Sequence, residues 1–140
     1  MTNGSAVVVD TDAFSLLYVR RDSSDPRIQD WRHRLTGRQV VVSFQTAAEL
    51  LAGAIFDGWA ERRMAHLRGI LENTPTIVVD TAVIERCAAL TASCRRDGHP
   101  LHQKHHTADR WVAACALAKD LALLAGDGIC RGVPGLTLLA

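Results

Sequence analysis

The 140-residue chain contains no apolar stretch of membrane-spanning length, no CxxC pair, no internal repeat and no low-complexity tract. A helical membrane span needs about 20 consecutive apolar residues, so an integral-membrane reading by helices is not expected. The polar opening Met1-Thr2-Asn3-Gly4-Ser5 lacks the charged and apolar regions of a secretory signal, and a cytoplasmic protein is the expectation. Cysteines are few: Cys87 and Cys94 fall on one predicted helix, about 10 Å apart along its axis, beyond disulfide reach. Cys115 among alanines and Cys130 in a loop read as small buried hydrophobes. Aromatics make up only 5% of the residues, too few for a convincing base-stacking platform. An excess of either charge is missing too: sixteen Lys and Arg against fifteen Asp and Glu leave +1, so any contact with a polyanion has to be local.

What is present is a large apolar fraction, 48%, in a chain long enough for one core and too short for two ordinary domains, so 1–140 reads as a single domain. Short apolar runs at 6–9, 40–43, 76–79, 121–125 and 136–139 read as strands buried on both faces. Helical spacing lies between them: Phe14, Leu17 and Val19; Ile28, Trp31 and Leu35; Leu50, Leu51, Ala54 and Ile55; Met64, Leu67, Ile70 and Leu71; Val83, Cys87, Leu90 and Cys94; Trp111, Cys115 and Ala118. Alternating strands and helices predict an α/β fold, a mostly parallel sheet of about five strands between two helical layers.

Four carboxylates stand out against this pattern. Asp10 ends the first strand, Glu49 lies just beyond the second, Asp109 opens an alanine-rich helix, and Asp127 follows the fourth strand. In an open α/β sheet such positions share one edge and converge on a crevice. Acids brought together there need counter-charge, which Mg²⁺ or Mn²⁺ supplies through hard oxygen ligands. A metal-dependent hydrolase is therefore expected. Each acid also has a plain structural explanation: Asp10 or Thr11 as a helix cap, Thr46-Ala47-Ala48-Glu49 as a capping box, and Asp109 as a complement to a helix dipole.

The segment Val7-Val8-Val9-Asp10-Thr11-Asp12, the stretch Ser43 to Leu50, the run Ala108-Asp109-Arg110-Trp111-Val112-Ala113-Ala114 and the closing Leu124-Ala125-Gly126-Asp127 with Val133-Pro134-Gly135-Leu136 resemble the PIN-domain family, and within it VapC-type ribonuclease toxins. The resemblance runs from Val7 to the C-terminus with the motifs in family order. It implies a three-layer PIN-like fold in which strands one and four lie side by side and bring Asp10 near Asp127. It also implies an endoribonuclease in which Asp10, Glu49, Asp109 and Asp127 form a Mg²⁺ or Mn²⁺ cage, with Thr11 and Asp12 in support. A cognate antitoxin and a homodimer follow, the antitoxin helix lying in a groove made by helices 27–35 and 59–73. Ala125 departs from the small hydroxyl residue common two positions before the last acid.

The histidine-rich segment 97–106 reads as a solvated loop, as a rim in which Arg95, Arg96, Lys104 and Arg110 contact RNA phosphates, or as a zinc site built on His99, His102, His105 and neighbours. Two other classes compete with the nuclease. Asp10-Thr11-Asp12 with Gly126-Asp127 resembles haloacid-dehalogenase-type phosphatases, which leaves Glu49 without a role. A receiver-like signalling domain would use Asp10, Asp12 and Asp80, but the only lysines, Lys104 and Lys119, offer no late lysine after strand five.

Overall fold

A computed structural model describes residues 5–20 and 23–139. Four parallel strands, β1 (Ala6–Val9), β2 (Gln39–Ser43), β3 (Thr76–Ile77) and β4 (Ala122–Leu124), form a sheet in the order β3-β2-β1-β4. Alternation of side chains along the strands divides the core in two. Val8, Val41 and Leu123 face α5 (Thr81–Asp97) and α6 (Thr107–Ala118), while Val7, Val9, Val42 and Leu124 face α1 (Thr11–Phe14) and α2 (Arg27–Leu35). A smaller cluster, Ala54, Met64 and Leu67, joins α3 (Phe44–Phe56) to α4 (Glu61–Glu72). All four cysteines are free thiols, three of them buried. Among the described residues no helix is long and apolar enough to cross a membrane.

Three expectations change in detail. The fifth strand is reduced to one bridge, Leu138 beside Leu123, although Leu123 donates to the Thr137 carbonyl and Leu139 to that of Leu123, both at 2.9 Å. Pro134 has no N–H to offer, and Gly135 at φ 81° turns the chain, so the segment reaches β4 late and pairs briefly. β3 stops at Ile77 instead of Val79, because Val78 and Val79 turn outward, 65% and 47% exposed, on the way to Asp80. Helices 27–35 and 59–73 do not expose apolar faces across a pair: Ile28, Trp31, Leu35, Met64 and Leu67 are buried in the protein's own core. Among the described residues the large exposed apolar side chains lie elsewhere: Tyr18 after α1, Ile55 and Phe56 at the end of α3, and Val78, Val79 and Ile84 beyond β3.

The chain runs from β1 to β2 to β3 on one side and returns to place β4 on the other. The reversal falls between β1 and β4, where the Asp10 N–H donates to the Leu124 carbonyl at 3.0 Å. A crevice at the carboxyl ends of these strands is where ligands bind in open α/β sheets.

Candidate active site

The end of β1 delivers Asp10 in extended conformation as the N-cap of α1. Its Oδ1 accepts from the Ala13 N–H at 2.9 Å and its Oδ2 from the Gly126 N–H at 2.8 Å, so one carboxylate ties the first helix to the turn after β4. Asp10 is thus the cap of α1 that its place at the strand end allows. Just past α1, Ser15–Val19 widens into a π-helical turn that contributes Ser15 and Val19 to the wall of the crevice.

β2 ends at Ser43, fully buried, whose hydroxyl accepts from the Thr46 N–H at 3.2 Å and caps α3. The helix therefore starts at Phe44, which puts Glu49 in its second turn and out of reach of a capping box; Thr46-Ala47-Ala48-Glu49 does not cap. Glu49 Oε1 instead accepts from the Thr11 hydroxyl at 2.5 Å. With that hydrogen committed, the contact between the Thr46 and Thr11 hydroxyls at 3.0 Å has Thr46 as donor. The chain Thr46–Thr11–Glu49 fixes Glu49 against the start of α1. Asp109, on the first turn of α6, pairs with His106 Nδ1 at 3.1 Å, and Asp127 Oδ1 accepts from the Ile129 N–H at 3.1 Å.

Asp10, Thr11, Asp12, Glu49, Asp109 and Asp127 all line one open cavity of about 380 Å³, with Arg20 and Trp59 farther along its wall. Desolvation pushes the Asp10 carboxyl up to about 6, against the pull of its two backbone hydrogen bonds, and the nearby charges of Asp12 and Asp127 push the same way. The acids do not close into a cage: no three His, Cys, Asp or Glu side chains among the described residues form a ready ligand group. Asp10, Glu49, Asp109 and Asp127 are each engaged by a protein donor. The donor set still suits Mg²⁺ or Mn²⁺. It is all hard oxygen, and Asp10 carries a desolvation penalty that a cation relieves.

The PIN domain family model matches residues 7–135. The chain belongs to the PIN-domain family. Its members generally use divalent metal ions. Among solved structures the PIN chain is similar to VapBC2 from Rickettsia felis bound to a promoter DNA fragment, at 15% identity and TM-score 0.74, covering 95% of this chain and 96% of that one. It is similar also to VapBC-1 from nontypeable Haemophilus influenzae, at 17% and 0.74 with the same coverage, and to FitAcB from Neisseria gonorrhoeae, at 20% and 0.70, covering 94% and 95%. At these identities the likeness is one of fold. No curated protein matches the chain.

The basic segment of this PIN domain divides into two groups. Arg95 and Arg96 on the last turn of α5, and Lys104, are exposed and stand outside the cavity lining. Arg110 turns its guanidinium inward: Nη1 donates to the Leu101 and Gln103 carbonyls, both at 2.8 Å, and Nη2 to the Thr107 hydroxyl at 3.1 Å, which leaves one Nη2 hydrogen uncommitted. Together with fully buried Leu101 it shapes residues 100–106 into two 3₁₀ turns in place of a free loop. The histidines do not gather around a zinc position either. His99 Nδ1 accepts from the Leu101 N–H at 3.1 Å, so its Nε2 is the donor to the Arg131 carbonyl at 2.7 Å, and His106 is held by Asp109. Asp80 caps α5 and binds Lys119 at 2.6 Å, beside the C-terminal end of α6, whereas Asp109 lies at its N-terminal end roughly 15 Å away.

Two participants have structural roles that the sequence pattern does not assign, although Gly126 stands inside the closing motif Leu124-Ala125-Gly126-Asp127. Gly126 approaches Asp12 so closely that a Cβ there would meet its Oδ2 at 3.1 Å, and Arg27 reaches across 99 positions to the Gly126 carbonyl. Asp25-Pro26-Arg27 reads locally as a helix start, and nothing in it announces that reach.

Proposed function

We propose that this PIN domain is a Mg²⁺- or Mn²⁺-dependent endoribonuclease, a VapC-type toxin held in check by a small antitoxin. The observation that carries the reading is the shared cavity of Asp10, Glu49, Asp109 and Asp127, in which Asp10 is desolvated to a pKa of about 6. Two or three of these four carboxylates would hold the ion. When bound, a divalent cation supplies positive charge to the scissile phosphate and acidifies water. Asp10 brings its charge on a carboxylate already oriented by two backbone N–H groups, so little reorganisation remains when substrate arrives. Glu49, held through Oε1 by Thr11, keeps Oε2 for the site, and Asp109 is steadied by His106. A carboxylate not engaged with the ion would take the proton of the attacking water as the new P–O bond forms, and the ribose oxygen that leaves as the old P–O bond breaks would take a proton from solvent.

Arg95, Arg96 and Lys104 remain the proposed contacts for RNA phosphates around this acidic crevice. The toxin and antitoxin roles, and a homodimer, rest on the similarity to chains of toxin–antitoxin complexes and on the exposed Ile55 and Phe56 at the end of α3. The phosphatase alternative leaves unexplained why Glu49 is built into the same cavity as Asp10. The receiver alternative needs Asp80, which is committed to a cap and to Lys119.

The test is expression with and without the antitoxin, followed by end-mapping of cellular RNA. New RNA ends and growth arrest that appear only without antitoxin are expected. An unchanged RNA population in cells holding folded toxin contradicts the proposal.

A further inference from the structure

Arg27 opens α2 on the protein surface, yet its guanidinium is fixed on three sides. Nη1 donates to the Gly126 carbonyl at 2.7 Å, Nε and Nη2 donate to the two oxygens of Asp25 at 3.0 and 2.8 Å, and Cζ lies 4.8 Å from the ring centre of buried Trp31. Gly126 is thereby held on both sides, because its N–H donates to Asp10 Oδ2 while its carbonyl accepts from Arg27. The carboxylate of Asp12 closes over its Cα, where no side chain fits comfortably. A residue of α2, outside the cavity lining but within reach of the charges of Asp12 and Asp10, thus grips the turn that carries Asp127 and orients Asp10.

We propose that Arg27 is a positioning residue of the acidic site, acting through the Gly126 backbone to fix Asp10 and Asp127, with Asp25 and Trp31 holding the guanidinium in place. The chemistry selects arginine. A planar fork can donate to Asp25 and to Gly126 at once while stacking on an indole, which the single ammonium of lysine cannot reproduce. Asp25–Arg27 is an exposed ion pair and contributes little to stability in its own right. Its geometric consequence lies in the turn it anchors, where a small misplacement of reacting groups lowers turnover steeply.

The consequence for cleavage rests on the nuclease reading above, so the test combines three measurements on the full chain. Arg27→Ala, Arg27→Lys and Asp25→Asn are compared with the parent for hydrogen exchange at the Gly126 amide, for Mn²⁺ affinity by calorimetry without RNA, and for steady-state RNA cleavage. In Arg27→Ala the Gly126 amide is expected to exchange about tenfold faster as the turn loosens. Mn²⁺ should bind several-fold more weakly, and kcat should fall by about 10- to 100-fold with KM within about threefold of the parent. Arg27→Lys should fail to restore kcat, and Asp25→Asn should show a weaker form of the same pattern. Unchanged Gly126 exchange, full rescue by lysine, or a defect confined to KM would overturn the proposal, the last marking Arg27 as a direct phosphate contact. If the parent neither binds Mn²⁺ nor cuts RNA, the nuclease reading fails, and Gly126 exchange alone still decides whether the clamp operates.

Discussion

Replacing Asp10 by asparagine separates the charge of this carboxylate from its shape. The native Asp10 pKa of about 6 lies above the reference 3.8, so the folded protein holds this proton more tightly than the unfolded chain. The resulting stability is fully present below about pH 3.8 and lost as pH rises through about 6, a change of about 3 kcal/mol for a shift near two units. An asparagine side chain at this position has no such dependence. Its Oδ1 still accepts from Ala13, but its amide nitrogen would face the Gly126 N–H donor to donor, costing about 1–3 kcal/mol at every pH. Near pH 4 the metal-free Asp10→Asn protein should therefore be less stable than the parent. By about pH 7.5 the two terms nearly cancel or the variant becomes the more stable. Urea denaturation in chelator across this range reads the difference directly, and the other carboxylates titrate in both proteins. Saturating Mn²⁺ should then restore the advantage of the parent, by about 2.7 kcal/mol at one hundred times its Kd. A stability difference that stays flat from about pH 4 to 7.5 would refute desolvation as the origin of the raised pKa.

Glu49→Gln keeps an acceptor for the Thr11 hydroxyl but loses its charge, so RNA cleavage should fall at least about tenfold while thermal stability changes by less than about 1 kcal/mol; a stability loss without an activity loss would return Glu49 to a structural role. Asp80→Ala removes the cap of α5 and the contact with Lys119, lowering helix stability by about 1 kcal/mol in urea denaturation with cleavage unchanged; a loss of activity at constant stability would contradict its exclusion from the site. The triple variant Arg95→Ala, Arg96→Ala, Lys104→Ala should bind RNA more weakly with a flatter salt dependence, and binding identical to the parent across a salt series would remove this rim from substrate recognition.

The layered fold was legible because its strands are apolar runs of Val, Leu and Ala, and because Ile28, Trp31, Leu35, Met64 and Leu67 fall at helical spacing and are buried. The carboxylates were legible as candidates for a related reason: Asp10 and Asp127 stand just past strand ends, Asp109 opens a helix and Glu49 lies in the helix that follows the second strand, and parallel topology gathers such positions at one edge. Local pattern carried less information about partners. Glu49 could be assigned to a capping box until Ser43 proved to be the cap, because a register of three residues separates the two readings. Arg110, counted among basic side chains that could meet RNA, turns inward to carbonyls whose position depends on the path of residues 100–106. Arg27 shows the same limit from the other side. A contact between α2 and the turn after β4 exists only once the sheet order has placed them together.

Whether the four carboxylates act as one divalent-dependent ribonuclease centre is decided by end-mapped cleavage of RNA by the purified protein, titrated with Mg²⁺ or Mn²⁺ after chelation, beside Asp10→Asn of verified fold. Cleavage that is lost in chelator, returns with the metal in the parent and stays at least about 100-fold lower in Asp10→Asn is the predicted result. Equal cleavage by the parent and Asp10→Asn, or cleavage indifferent to chelator, would rule out a divalent-dependent centre at these carboxylates.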